Sequence, residues 1–415
     1  MKRVLIASFA ALSFAGYSQT APTTAPAAKE WDVSVYGFVR TDYIWDTRKS
    51  AQVREYNLNL YPLDEVKDAN GKDINDAGAS NFLSVVSRLG VKVKGPDVWG
   101  AKVNGTLEGD FFGNTESTIG LFRLRHAYAT LDWTKTSVTM GQTWYPTFIP
   151  EVFPGVANFS TGIMFNPFGW ASQVKIKQNL SNNISFALTA YKEREFTTAT
   201  ATGGTQNSAS INSSLPTFHG QFQFKNKNWI AGLGAEFKSL QPLTVSNNQV
   251  SDEKVNSTSF VGYFKYNNDK FHIKAYGITG GDMYNLVMLG GFAGYTTPGQ
   301  VEKYEATKTT SFWVDIASNG KSIAPGFFFG HTKNDGTGKD GATALYMRGT
   351  SGTRGVGNVW RTSARIDFKQ NKFRITPELE YTAATWGDLK SDASVGGNTK
   401  NVGNFRAMVS CVYAF

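Results

Sequence analysis

Residues 403–415 read GNFRAMVSCVYAF, and within them Phe405, Ala407, Val409, Cys411, Tyr413 and Phe415 alternate with Arg406, Met408, Ser410, Val412 and Ala414. One face is apolar and aromatic, the other mixed, which is the period-2 pattern of a β-strand. Carried without a break over the whole stretch, the alternation is long for a soluble strand. It suits a strand tilted across a hydrocarbon layer of about 30 Å.

The same pattern recurs upstream. In 33–46, Val35, Gly37, Val39, Tyr43 and Trp45 share one face, while Arg40, Asp42 and Asp46 share the other. Val85, Leu89, Val91 and Val93 alternate with Arg88, Lys92 and Lys94. Val103, Leu107 and Phe111 alternate with Glu108 and Asp110, and Phe122, Leu124, His126 and Tyr128 with Arg123 and Arg125. A fifth strand spans 138–144, and eleven more are expected between 170 and 415, with Arg361 and Arg365 on the fourteenth and Arg374, Glu378 and Glu380 on the fifteenth. Connections alternate between short turns, such as Ser181-Asn182-Asn183 and Gln370-Asn371, and long loops, such as 195–215, 240–255, 281–306, 334–358 and 386–402. Residues 50–81 read as a long polar loop. This asymmetry predicts an all-β, up-and-down antiparallel transmembrane barrel of about sixteen strands over 33–415. A secreted β-sandwich would also alternate short strands with turns. Its dry core, however, could not hold unpaired Arg, Lys, Asp and Glu on nearly every strand, whereas a wet lumen can.

Composition agrees with a barrel. The chain is 14% aromatic, yet its mean hydropathy is −0.29, as expected when only alternate strand residues meet lipid. Trp45, Trp99, Trp133, Trp144, Trp170, Trp229 and Trp360 fall near strand ends, where interfacial girdles lie. Lys2 and Arg3 precede the apolar run Val4–Phe14 and a Gly16-Tyr17-Ser18 site, so 1–18 reads as a secretory signal peptide with no Cys for a lipid anchor. A Thr/Ala/Pro-rich linker follows over 19–32. Cys411 is the only cysteine and excludes an intrachain disulfide. Removing Lys2 and Arg3 lowers the formal net charge from +9 to +7. The basic residues are scattered, not gathered in patches, which argues against nucleic acid and for anionic solutes or lipid head groups.

Ending a strand on Phe415 resembles the C-terminal signature of Gram-negative outer-membrane barrels and implies recognition by the outer-membrane insertion machinery. Five segments, YGFVRTDYIWDTR (36–48), SRLGVKV (87–93), LEGDFFG (107–113), FRLRHAYATL (122–131) and GQTWYP (141–146), resemble the DcaP-type trimeric porins and the wider sixteen-stranded porin class. The resemblance covers about a third of the chain. It implies an outer-membrane homotrimer, among lipids and lipopolysaccharide, that passes small hydrophilic solutes. It also implies that the third long loop folds into the pore.

That loop, 145–168, is apolar and rich in proline, with Phe148, Phe153, Phe159, Met164 and Phe165 among its residues and Glu151 as its one charge. It is the expected constriction, unless it forms a lid or a subunit contact; Glu151 is expected to face the basic wall. Tyr284–Tyr295 is a second apolar loop or a further strand. Outward-facing His126, Tyr128 and Thr130, beside Gly105 and Gly109, would make a poor lipid face and so suggest either a protein interface or scattered aromatic-belt and head-group contacts. Closure places Arg40, Arg88, Lys92, Arg123, Arg125, Arg361, Arg365, Arg374 and Arg406 in one basic, pore-lining wall, interleaved with acidic Asp42, Glu108, Asp110, Glu378 and Glu380. Such a wall favours anions, with carboxylated or phosphorylated solutes as candidates, unless the arginines merely pair with the interleaved carboxylates and solvate the wall. A specific uptake channel is the alternative. An embedded hydrolase is a further one, although the four His (126, 219, 272, 331) show no metal-ligand spacing and the chain has no GxSxG, HExxH or cofactor motif.

Overall fold

The structure is a computed structural model that describes residues 31–415; the expected leader and all but the end of the linker lie outside the described residues. Sixteen antiparallel strands close into a barrel. In chain order they are β1 (Asp32–Asp46), β2 (Ala79–Leu83 continued by Arg88–Val98), β3 (Ala101–Asp110), β4 (Arg123–Asp132), β5 (Thr136–Trp144), β6 (Trp170–Asn179), β7 (Ile184–Glu193) and β8 (Thr217–Lys225). The second half comprises β9 (Trp229–Leu240), β10 (Val255–Asn267), β11 (Phe271–Gly281), β12 (Lys308–Ser318), β13 (Ile323–Gly336), β14 (Arg354–Gln370), β15 (Phe373–Asp388) and β16 (Lys400–Ala414).

Closure is made by the quoted C-terminal stretch. β16 pairs with β1 from Phe38↔Ala414 to Asp46↔Arg406, and the Phe415 amide donates to Gly37 O at 3.1 Å. With every strand edge paired, the backbone can sit in lipid without orphaned amides. The predicted alternation sets the faces. Val35, Val39 and Trp45 are exposed on the outside, whereas Arg40, Asp42 and Asp46 are buried inside. Short turns at one end suit their residues: Trp99 and Gly100, both at positive φ (51° and 74°), join β2 to β3 in the hairpin geometry that matches strand twist.

Three sequence expectations change. First, 50–81 is not merely a polar loop: Ser50–Val53 and Leu58–Pro62 form a hairpin whose Leu58, Leu60 and Tyr61 are buried against the barrel interior. Second, β4 carries a β-bulge. Its register with β3 steps from Glu108↔His126 to Gly109↔Leu124, leaving Arg125 as the extra residue. Both Arg123 and Arg125 therefore point inward, and so do His126, Tyr128 and Thr130, while Ala127 and Ala129 take the outer face. These three side chains therefore offer nothing to an outward interface. Third, Tyr284–Tyr295 is both loop and strand: Gly290–Tyr295 pairs with Lys303–Ala306 and Ala344–Arg348 in a small three-stranded sheet over the long-loop end.

Candidate functional site

The loop between β5 and β6 folds into the lumen. Ile149, Val152, Phe159, Ile163, Met164, Phe165 and Phe168 are at most 7% exposed and share one apolar cluster with Leu58, Leu60, Trp313 and Phe328. Leu286, Val287 and Met288 from the loop after β11 join that cluster, and the Phe168 amide donates to Leu286 O at 3.0 Å. Burying each large apolar side chain is worth about 1.5–3 kcal/mol, so the loop is held as a packed element within a wet barrel.

Polar groups of the wall fix its path. Arg40 Nη2 donates to Ala157 O at 2.6 Å, Glu378 accepts from the Ala157 amide at 2.9 Å, and Arg361 Nη1 donates to Ile163 O at 2.7 Å. Ser311 and Trp313 on β12 bind Phe165 O and Asn166 Oδ1 at 3.1 Å each. Across the lumen, Tyr276 Oη donates to Thr147 O at 2.8 Å and Lys274 Nζ to Phe153 O at 3.0 Å. The loop is thus tied to opposite sides of the barrel.

These contacts redefine the predicted basic wall. Arg40 pairs with Asp42 (2.8 Å), Arg406 with Asp46 (2.8 Å), Arg361 with Glu380 (3.3 Å) and Arg365 with Asp315 (2.8 Å). Arg123 bridges Asp110 and Glu195, and Arg125 bridges Glu108 and Asp110. Each of these six arginines is buried. Arg365 lies flat between Gly155 of the loop and Gly326 of β13, where a Cβ would fall 2.4 Å and 2.6 Å from its guanidinium. The hairpin after β1 caps the same side, with Arg361 Nη2 on Asn59 O (2.8 Å) and Asn59 Nδ2 on Glu380 (3.0 Å). Of the nine predicted basic residues, only Lys92 and Arg374 are exposed; Arg88 is intermediate, 3.4 Å from Glu108. The reason is complementarity. Buried arginines require carboxylates and carbonyls, and the interleaved acids and the loop backbone supply them.

Glu151 also departs from expectation. Its carboxylate meets Lys225 of β8 and accepts from Gln223 at 3.1 Å, on the side of the barrel away from the arginines. Here the lumen is open. A 360 Å³ cleft is lined by Trp144, Phe148, Glu151, Gln173, Lys175, Lys177, His219 and Gln221, among others. Neighbouring spaces toward the short-turn end are lined by Lys177, Lys225, Lys227, Lys265 and Lys274. Glu151 is the one carboxylate lining these three spaces. Sequence alternation singles out the arginines and passes over these lysines, though exposed Val174 and Ile176 on the lipid side already imply that Lys175 and Lys177 point in.

The family model for the DcaP outer membrane protein matches residues 10–297. The chain belongs to the DcaP outer membrane protein family. No curated protein sequence matches at a comparable level of significance. Among solved structures, the outer membrane channel DcaP of Acinetobacter baumannii shares the fold with a TM-score of 0.67 at 19% identity, over 94% of this chain and 99% of that one. An anion-selective porin from Comamonas acidovorans follows at 0.57 and 14% identity, over 93% of this chain and 100% of that one. Vibrio cholerae OmpT gives 0.53 and 13%, over 94% and 99%. This DcaP-family chain is an outer-membrane porin channel, and family and fold point to a channel rather than a catalyst.

Proposed function

We propose that the channel passes small hydrophilic solutes by diffusion and favours anions, with small carboxylated or phosphorylated molecules as the preferred class. The observation that carries this reading is the open side of the lumen, where Lys175, Lys177, Lys225, Lys265 and Lys274 face a single carboxylate, Glu151. In a narrow passage with low-dielectric walls, one sign of charge raises the local concentration of the opposite ion. Lys92, Arg88 and Arg374 add to the same field from the other side, whereas the ion-paired arginines contribute mainly by holding the loop. An anion-selective porin shares the fold, which is consistent with this reading.

Reversal potentials in a salt gradient test it. The wild-type channel is expected to prefer chloride to potassium. Replacing Lys175, Lys177 and Lys265 together with Gln should shift preference toward cations, and a wild-type channel already preferring cations overturns the proposal. A specific uptake channel is favoured by one feature, the convergence of Gln173, Gln221 and Gln223 with the lysines on the 360 Å³ cleft. Saturating, solute-specific block of the current would distinguish it from general diffusion. Assembly is proposed as a homotrimer through β3 and β4, whose outer face offers Gly105, Ala127 and Ala129. Molar mass by light scattering in detergent checks that state.

A further inference from the structure

Outside the barrel, β8 to β12 carry a trough of about 600 Å³ that is almost wholly apolar. Strand register explains its shape. Phe222, Leu233, Gly262, Gly277 and Phe312 stand side by side in one row across five strands, each paired with the next. Leu233 is 71% exposed and Phe312 45%, so two bulky ridges flank two adjacent glycines.

Neither glycine is required by the backbone, since neither has a positive φ. Gly277 is not required by space either: a Cβ there would meet only Ser311 O at 3.7 Å and Phe312 Cβ at 4.0 Å. A strand interior weakened by glycine without local need marks a place where something else approaches closely. In the next row toward the short turns Ala231 and Ala275 keep the floor low on either side of Phe264, whose ring leans against Trp229 at 5.3 Å.

The trough begins a few residues from the turns joining these same strands and extends a few residues further. At about 3.3 Å per residue it occupies the half of the apolar band nearer the short turns, which is the periplasmic leaflet. The turns 268–270 and 319–322 carry exposed Lys270 and Lys321 against one acid, Asp269, while Lys227 of the 226–228 turn lines the lumen mouth. Between lysines and trough lies an aromatic step of Trp229, Tyr266 and Phe271, with ring centroids 4.5 Å and 5.8 Å apart.

We infer that this sector binds an anionic phospholipid of the periplasmic leaflet, with an acyl chain in the Gly262–Gly277 trough and the phosphodiester head group at Lys270 and Lys321. Charge complementarity selects the lipid, because a basic rim below an apolar groove fits a head group of net negative charge. The aromatic residues sit at the depth where such rings favour the interface.

Native mass spectrometry of the full, folded protein in mild detergent tests this with added phosphatidylglycerol or phosphatidylethanolamine. Phosphatidylglycerol adducts are expected to survive activation that strips phosphatidylethanolamine. Replacing Lys270 and Lys321 with Gln should abolish that difference. Gly277→Leu, which fills the trough from the lipid side, should remove the retained adduct while heat-modifiable gel mobility shows an intact barrel. Equal retention of the two lipids, a difference that survives either variant, or displacement of the adduct by inorganic phosphate alone overturns the inference. So does efficient bismaleimide cross-linking between copies through Leu233→Cys in a Cys411→Ser background, which would place another subunit over the trough.

Discussion

On one side of the lumen, Arg361, Arg365 and Arg406 are at most 4% exposed and each is clasped by a carboxylate, while on the other Lys175, Lys177 and Lys265 stand partly exposed over open space. Both sets occupy inward strand positions. The difference lies in side-chain chemistry and in where the inserted loop lies. A guanidinium offers five donors in a rigid plane and can serve a carboxylate and a backbone carbonyl at once, as Arg361 does with Glu380 and Ile163 O. An ammonium is a compact, strongly hydrated charge better left in water. The arginine side therefore works as a mount for the loop and the lysine side as the wall that solutes meet.

Both sides require a closed barrel, so the largest effect comes from opening it. Residues Val412–Phe415 pair with β1 and β15, and their deletion removes the last contacts of the seam. Loss of heat-modifiable barrel from outer-membrane fractions is expected, and normal amounts of folded protein would contradict closure through β16 and β1. Next in size is the arginine mount. Arg406→Ala leaves the buried Asp46 with Asn404 but without its cation, and Arg361→Ala leaves Glu380 with Asn59 but without its cation while freeing Ile163 O. Breaking a buried pair in this way costs about 3–5 kcal/mol. The unfolding temperature in detergent should fall markedly, and Arg361→Ala should also produce larger or noisier conductance as the loop loses its grip.

Much of this comparison was legible in the sequence, and the parts that were not share a cause. Alternation placed the strands, because each inward or outward choice is local and repeats. It could not reveal the bulge at Arg125, since an extra residue changes no neighbour's character and shows only against the partner strand. That single residue turned His126, Tyr128 and Thr130 to the inside. The hairpin strand Leu58–Pro62 is buried on both faces, so it lacks alternation altogether; its Leu58, Leu60 and Tyr61 were the available sign amid charged neighbours. The partners of the arginines and of Glu151 depend on the path of the inserted loop, which is set by contacts more than a hundred residues apart, such as Arg40 with Ala157.

The lysine side should respond in the opposite manner to the arginine side. Gln at Lys175, Lys177 and Lys265 removes partly exposed charges that tether no part of the loop, so stability should change little, within roughly 0.5 kcal/mol per position. Reversal potential should move toward cations. A large fall in unfolding temperature without a change in selectivity would erase the distinction between the two sides.

The smallest expected effect is the sharpest in sign. Glu151 and Lys225 form an ion pair whose side chains remain 37% and 56% exposed, and pairs of this kind contribute about 0–1 kcal/mol and weaken with salt. The loop is anchored elsewhere by Arg40, Arg361, Ser311 and Tyr276, so Glu151→Gln should leave folding and loop position nearly unchanged. It deletes, however, the one carboxylate lining the open spaces and frees the Lys225 ammonium. Anion preference should therefore rise, opposite to the lysine replacements and most clearly at low ionic strength, where the field of an exposed lysine reaches furthest. If Glu151 instead faced the arginines, the neighbouring guanidinium groups would remain neutralised by Asp42, Asp46, Glu380 and Asp315, and selectivity would barely move. A reversal potential that shifts toward anions in Glu151→Gln and toward cations in the lysine variant, with both proteins equally stable, locates the ion-sensing wall on β6 to β11.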